Sequence, residues 1–414
     1  MNKDCKMKNQ LLILIILLSF IFFSCNKSTD PETNPIRELT AVEKQIANSS
    51  NIFGLKLFQS VSEKEDGNIF ISPLSFSFAL GMTYNGANGE TKAAMKKTLG
   101  FPDLSDIEIN QSYKSLIELF TTLDEKVAFN LANSIWYRED FSVEPEFIEL
   151  NKKYFNAEVS SLNFLSPIAK DVINKWCEEK TNGRIKEVID KIPEYAVMYL
   201  INAIYFKGDW QSKFDKKFTK DQDFFKSDGK SYKVKMMMKS DSNFRYYSNE
   251  KFQAVDLPYS KGDYAMTIFL PNYNVNLNTI IKDLNHENLT LWLSNFNKRY
   301  GHLAMPRFKL EFKRSFKDIL SDMGMGIAFS ERLADFTRIN KMGGLFISEV
   351  LHKSFLEINE EGTEAAAVTV VEIGYTSIGD EFRMTVNRPF LLVIRETKNN
   401  TVLFLGKIME PKSD

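Results

Sequence analysis

The chain has 414 residues, with 53 Lys and Arg against 54 Asp and Glu and a formal net charge of -1. Hydrophobic residues make up 43% and charged residues 26%, proportions that exclude a disordered tail protein, a collagen and a charge-driven nucleic-acid binder. Three His (His286, His302, His352) and three Cys (Cys5, Cys25, Cys177) are too few for a Cys-ligated zinc site or a disulfide framework, so no metal and no cofactor is expected.

Lys3, Lys6 and Lys8 precede Leu11–Phe23, an apolar run broken only by Ser19. A spanning helix needs about 20 apolar residues, so the run is short for a span and has the length of a signal-peptide core. Ser24-Cys25 at its end resembles a bacterial lipobox, although Phe23 is bulkier than the usual small residue. That resemblance implies a signal peptide over residues 1–24, acylation of Cys25 (palmitate among the chains), and a membrane-anchored protein of the cell envelope. Asn26, rather than Asp, resembles lipoproteins sent on to the outer membrane. The alternative is a plain secretory signal with an incidental Cys25. Residues 25–39, with Pro31 and Pro35 and no periodicity, read as a tether.

Regular patterning runs from Thr40 to Pro411, with no repeat and no internal linker, so residues 40–414 are expected to form one domain. Helical spacing covers Ala41–Val61, Ser75–Tyr84 and Gly89–Leu99. Val127–Tyr137 and Val197–Phe206 are long apolar runs suited to central strands. Val172, Ile173, Trp176 and Cys177 share one helical face, which makes Cys177 a packing residue, with Glu178 and Glu179 expected to raise its pKa. Strand signals then crowd the chain at Ala254–Leu257, Tyr264–Leu270, Leu303–Leu310, Phe346–Asn359, Met384–Arg395 and Thr401–Met409. Helices first and mostly strands later predict an α+β fold.

No nucleophile elbow, zinc-binding helix or phosphate-binding glycine loop occurs. His286 lies in a polar stretch, His302 is expected to precede a strand, and His352 sits in an apolar strand as a core histidine. No catalytic residue is assigned, and the chain is not expected to be an enzyme. The stretch from Glu360 to Gly374 has a different character. Thr363, Ala365, Ala367, Thr369, Val371 and Ile373 are small or apolar and share one parity, whereas Glu364 and Glu372 fall on the other. As a strand it would bury one face and keep both charges outside. From pattern alone it could be an ordinary strand.

Gly362-Thr363-Glu364-Ala365-Ala366-Ala367 resembles the hinge of the reactive-centre loop in serpins, and Met384–Leu391 is similar to the signature that follows that loop. Asn68–Ser75, Gly86–Thr91, Asn202–Trp210, Leu257–Ser260 and His352-Lys353 agree in family order, so the resemblance runs from about Ile46 to Pro411. It implies a single α+β domain with three β-sheets, about nine helices and an exposed loop over about residues 360–383. It also implies a suicide-substrate inhibitor, monomeric and partnered by a serine or cysteine protease: cleavage forms an acyl-enzyme, and the freed loop inserts into the main sheet. The hinge would be Glu360, Glu361, Gly362, Thr363, Glu364, Ala365, Ala366 and Ala367. Ser72, Ser75, Asn202 and His352 would form the shutter that lets the sheet open. Trp210 would mark the breach, with Arg307 as the basic partner of Glu360.

Counting along the loop as in inhibitory serpins places the reactive bond at Thr376–Ser377, suited to an elastase-like protease. The register one residue earlier, Tyr375–Thr376, would suit a chymotrypsin- or subtilisin-like one. Lys and Arg are absent from Gly362 to Phe382, so trypsin-like proteases are not expected to be targets. The alternatives are a non-inhibitory serpin acting as a chaperone or binding module, and a serine hydrolase, which the missing elbow and scarce His disfavour.

Overall fold

The N-terminus of the first helix shows how local chemistry sets an element. The Thr40 hydroxyl accepts from the Glu43 N–H (3.3 Å) and the Glu43 carboxylate accepts from the Thr40 N–H (2.7 Å). This reciprocal cap starts α1 (Ala41–Lys64) where the apolar periodicity begins. The computed structural model describes residues 37–363 and 381–412. Leu39–Asp414 forms one compact unit.

β1 (Ile69–Ile71) follows, then α2 (Pro73–Tyr84), capped by Ser72 and opened by a proline where no N–H partner is needed. Nearly every residue of α2 is buried. α3 (Gly89–Leu99), α4 (Asp106–Thr122) and α5 (Pro145–Phe155) alternate with β2 (Val127–Arg138) and β3 (Ala157–Leu162). α6 (Ala169–Lys180) leads to β4 (Met198–Asp209). The second half holds β5 (Lys220–Phe225), β6 (Ser231–Ser248), β7 (Phe252–Tyr259) and β8 (Tyr264–Pro271), then α7 (Leu277–Asp283) and α8 (His286–Ser294). β9 (Asn297–Pro306), β10 (Phe308–Ser315), α9 (Lys317–Leu320), β11 (Leu351–Ile358) and β12 (Gly362–Thr363) precede β13 (Phe382–Thr385), β14 (Phe390–Glu396) and β15 (Val402–Ile408). Among the described residues these make nine α-helices and three sheets, an α+β fold as expected.

The large sheet runs β1-β15-β14-β8-β7-β6-β9-β13, with β5 on β6. A second sheet runs β12-β4-β2-β3, and a third pairs β10 with β11. The last two are joined in sequence by the turn between β11 and β12. Among the described residues no ladder joins β4 directly to β11. The even-numbered residues of β4 face the interior, where Asn202 meets Ser75 of α2. The odd-numbered Ile201 and Ala203 pack under α6 with Trp176 and Cys177.

Several sequence expectations are corrected. Leu303–Leu310 is two strands: β9 ends at Pro306, and Arg307 donates its N–H to Lys235 O (2.8 Å) as the chain passes between sheets. Only the second half of Phe346–Asn359 is a strand, because residues 346–350 have no ladder partner. Met384–Arg395 is split between β13 and β14 by Asn387-Arg388-Pro389, where proline cannot donate to a ladder. His302 lies within β9 rather than before a strand. Val172 is 37% exposed and does not join the buried face of α6. Burial, not the neighbouring glutamates, pushes the Cys177 thiol up to about 12.

Candidate functional site

The hinge begins in a tight turn. Asn359 N–H donates to Gly362 O (3.0 Å), and Asn359 Oδ1 accepts from the N–H groups of Glu361 (3.0 Å) and Gly362 (3.2 Å). Gly362 and Thr363 then pair antiparallel with Asp209 and Gly208 at the end of β4. Gly362 has φ of 152°, and a Cβ there would sit 2.2 Å from Gly208 O and 2.6 Å from Asp209 Cα. Backbone against backbone leaves room only for glycine. Thr363 is 4% exposed, with its hydroxyl 3.0 Å from that of Tyr259. Burial holds the Tyr259 phenol protonated, well above its ordinary range. Trp210 stacks on the Tyr259 ring (centroids 4.7 Å apart) and donates its Nε1–H to Asn359 O (2.9 Å).

Glu360 and Glu361 are both buried, and each has its own partners. Glu360 accepts from the Thr219 hydroxyl (2.7 Å), with the Arg307 Nη1 3.7 Å away. Glu361 lies 2.6 Å from Lys216 Nζ and 3.7 Å from Lys213 Nζ, and Lys213 is also paired with Asp209 (2.8 Å). The hydrogen bond from Lys216 and the charges of both lysines hold the Glu361 carboxyl below its usual range. The backbone matches this grip: Trp210 N–H donates to Glu361 O and Phe214 N–H to Glu360 O, both at 2.8 Å. The expected exposed loop is thus buried at its start, over residues 360–363. β4 and the chain beyond it wrap those residues. Glu364, Ala365, Ala366, Ala367, Tyr375, Thr376 and Ser377 lie outside the described residues, as does Cys25.

The structure brings Ser72, Ser75, Asn202 and His352 together at the middle of the molecule. The Ser75 hydroxyl donates to Asn202 Oδ1, and Asn202 Nδ2 donates to Asn133 Oδ1 (2.7 Å). Ser72 N–H donates to His352 Nε2 (3.4 Å), so the proton on the ring sits at Nδ1. The imidazole is stacked on Phe76 (4.7 Å) and set edge-on to Phe316 (6.0 Å). Burial pushes its pKa down to about 3. A neutral, buried histidine on a backbone amide is a packing and hydrogen-bonding group, not a general base near pH 7. His302 sits elsewhere, 2.6 Å from the Ser240 hydroxyl and 3.6 Å from the Glu381 carboxylate.

Below Asn202, a cavity of about 280 Å³ separates Met198–Ala203 of β4 from Phe346–Lys353, with α2 and Ile185, Val188 and Ile189 as further walls. The site therefore has a seated turn at one end, a polar cluster in the middle and an open slot beyond it. Sequence reasoning missed Lys213, Lys216, Thr219 and Tyr259. Three of them follow Trp210 at intervals of three residues, and the acidic pair Glu360-Glu361 was the signal that partners were needed.

A family profile described as "Serpin (serine protease inhibitor)" matches residues 48–411. Leukocyte elastase inhibitor of Xenopus laevis is 34% identical over 89% of this chain and 100% of its own length. Iripin-8 of Ixodes ricinus is 32% identical over 90% of this chain and 95% of its own. The native-state structure of the thermophilic serpin Tengpin matches with a TM-score of 0.82 at 33% identity, over 91% of this chain and 97% of that one. Human thyroxine-binding globulin matches with a TM-score of 0.83 at 28% identity, over 90% and 100%. With the profile spanning the domain and a seated hinge beside an open slot, the chain belongs to the serpin family.

Proposed function

We propose that the protein inhibits proteases as a suicide substrate. The observation that carries this reading is the register of the seated hinge. Thr363 pairs with Gly208, and continuing that register sets Ala365 opposite Phe206, Ala367 opposite Ile204 and Thr369 opposite Asn202. Val371 then meets Leu200, and Ile373 meets Met198, the first residue of β4. Small residues fall opposite the large Phe206 and Ile204. The one polar residue meets the Ser75–Asn202–His352 cluster, and the two largest reach the cavity. Burying Val371 and Ile373 favours insertion by about 1.5–3 kcal/mol each. No proline interrupts the segment, and its two charges stay on the outer face.

In this reading the protease nucleophile attacks the Thr376 carbonyl, the Thr376–Ser377 bond breaks, and the Ser377 amine leaves as its first product. The freed strand zips down β4 before water can cleave the acyl-enzyme. Glu360, Glu361, Gly362 and Thr363 seat the hinge, Trp210 and Arg307 hold the breach, and Ser72, Ser75, Asn202 and His352 act as the shutter. The targets are elastase-like proteases, with Tyr375–Thr376 as the alternative bond for chymotrypsin- or subtilisin-like ones. Residues 1–24 serve as a signal peptide, Cys25 carries the lipid, and residues 25–39 tether a monomeric inhibitor to a bacterial envelope. The Ser24-Cys25 pair after the apolar run supports this placement.

Incubation with elastase, chymotrypsin and subtilisin tests the reading. A complex surviving boiling in detergent, whose released peptide begins at Ser377, is expected; a peptide beginning at Thr376 selects the alternative bond. Digestion of the loop with no such complex would point to a non-inhibitory serpin.

A further inference from the structure

The end of β4 opposite the hinge carries an exposed apolar edge. β2 is flanked there by β3, with Arg138 beside Leu162, and by β4, with Tyr137 beside Met198. Adjacent strands lie about 4.8 Å apart, so the ends of β3 and β4 are about 10 Å from each other. Leu165 stands three residues beyond β3, and Tyr195 three residues before β4. Two successive turns lead from β3 into α6: Ser166 N–H donates to Asn163 O and Ala169 N–H to Ser166 O, both at 3.0 Å. They set Phe164 inward, its ring 5.7 Å from that of Tyr199, and leave Leu165 and Ile168 outside. Val172, one helical turn on, shares the outer face of α6. Leu165 is 76% exposed, Tyr195 66% and Ile168 62%. Large apolar side chains brought together in this way mark a contact surface, unlike the single exposed leucines of an ordinary surface.

We propose that this edge docks onto a lipid bilayer of zwitterionic headgroups, the bilayer that holds the lipid on Cys25. This rests on the anchoring reading above, and two observations select the occupant. The first is length. Residues 25–36 separate Cys25 from Arg37, where the described residues begin, and twelve residues reach at most about 40 Å when extended. An anchored domain therefore stays near its bilayer, and a weak contact is multiplied by the high effective concentration. The second is chemistry. The edge joins aliphatic side chains to a tyrosine, whose apolar ring and polar tip suit the headgroup level. Its rim is acidic: Glu139, Asp171 and Glu194 are exposed, whereas Arg138 is paired with Asp140, Lys175 lies 3.9 Å from Glu179, and Lys170 acts on Asp190. Anionic headgroups are thereby disfavoured. Docking this edge turns the reactive loop away from the bilayer, because the hinge sits at the other end of β4, roughly 40 Å along the strand. A protease arriving from solution then meets the loop first.

The test uses the full chain recovered from membranes, with Cys5→Ser, reconstituted into phosphatidylcholine vesicles. An environment-sensitive fluorophore is attached at Ile168→Cys and, in a separate chain, at Leu291→Cys, an exposed apolar position on α8 away from the edge. Cys177 is buried and stays unlabelled. The mass of the peptide containing Cys25 reports the lipid separately. The label at 168 should brighten and shift to the blue on vesicles, and the label at 291 should not. Leu165→Ser combined with Tyr195→Ser should lower the ratio of docked to free domain at least about tenfold, the effect of withholding one large side chain from lipid. Vesicles made half of phosphatidylglycerol should give a smaller shift. A lipidated Cys25 with an unshifted label at 168, or with equal shifts at 168 and 291, overturns the docking alone. A Cys25 without lipid overturns the anchoring and, with it, the bilayer named here. If the label stays unshifted while the two serines shorten the life of a trapped protease complex, the edge receives the protease carried down β4, and the docking is disproved.

Discussion

Protonating His352 should unlock the middle of the molecule, and the size of the effect can be worked from its surroundings. In the fold, Nε2 accepts a backbone N–H from Ser72, and the ring is packed between Phe76 and Phe316, with no carboxylate bonded to it among the described residues. Burial sets the folded pKa at about 3, against 6.5 for an ordinary histidine. A depressed folded pKa means that the stabilising contribution is complete above the unfolded pKa and is lost as the pH falls toward the folded one. Between pH 7 and pH 4 the unfolded chain takes up a proton that the folded chain refuses, at about 1.36 kcal/mol per pH unit once the pH is below about 6.5. The folded state should therefore lose about 3 kcal/mol through this group alone. His352→Gln supplies an amide oxygen that accepts the Ser72 N–H at any pH and removes the titration. Urea unfolding of both chains at pH 7 and pH 4 isolates the term as the difference between their pH-dependent losses. Parallel losses in the two chains would refute the assignment of a neutral, buried imidazole.

Thr363→Arg should turn the inhibitor into a substrate. It strands the Tyr259 hydroxyl and asks a buried site to take a guanidinium, at a cost of several kcal/mol, so on gels the complex should give way to cleaved chain; full-stoichiometry trapping would contradict the inward placement. Gly362→Val should raise the stoichiometry of inhibition through a different route, because its Cβ would meet Gly208 O at 2.2 Å and push the turn off β4; unchanged titration curves would show that the turn is not needed. Gly301→Val should release β13, since the Phe382 ring lies 2.2 Å from where a Cβ would stand. Faster hydrogen exchange at Met384 than in the parent chain would register that release, and unaltered protection would argue against it. Cys25→Ala should move the protein out of the detergent phase; unchanged partitioning would remove the lipid anchor.

Much of the site was legible because its signals are local. A parity of small residues without proline and a core histidine in an apolar strand can each be read within a dozen residues, whereas the contact that forces glycine at position 362 comes from Gly208 and Asp209 of β4. The α+β order of elements and the packing role of Cys177 were legible for the same reason, whereas the caps at Thr40 and Ser72 emerge only in the structure. Strand limits were read less well. Leu303–Leu310 looks continuous in hydropathy, but Pro306 and Arg307 mark a change of sheet that only the position of Lys235 reveals. Phe346–Asn359 is apolar throughout, yet a strand needs a partner, and residues 346–350 face a cavity instead.

The sequence by itself determined which residues can insert, because alternation and side-chain size are properties of the chain. Only the tertiary structure decided what receives them. Lys216 and Thr219 precede Glu361 and Glu360 by more than a hundred residues, and Asn202 and His352 meet Ser75 and Ser72, respectively, from two different strands. Such pairings depend on how sheets pack over α2, and the slot between β4 and the chain entering β11 is an unmet ladder. A run of residues can state its own periodicity, but not the absence of its neighbour.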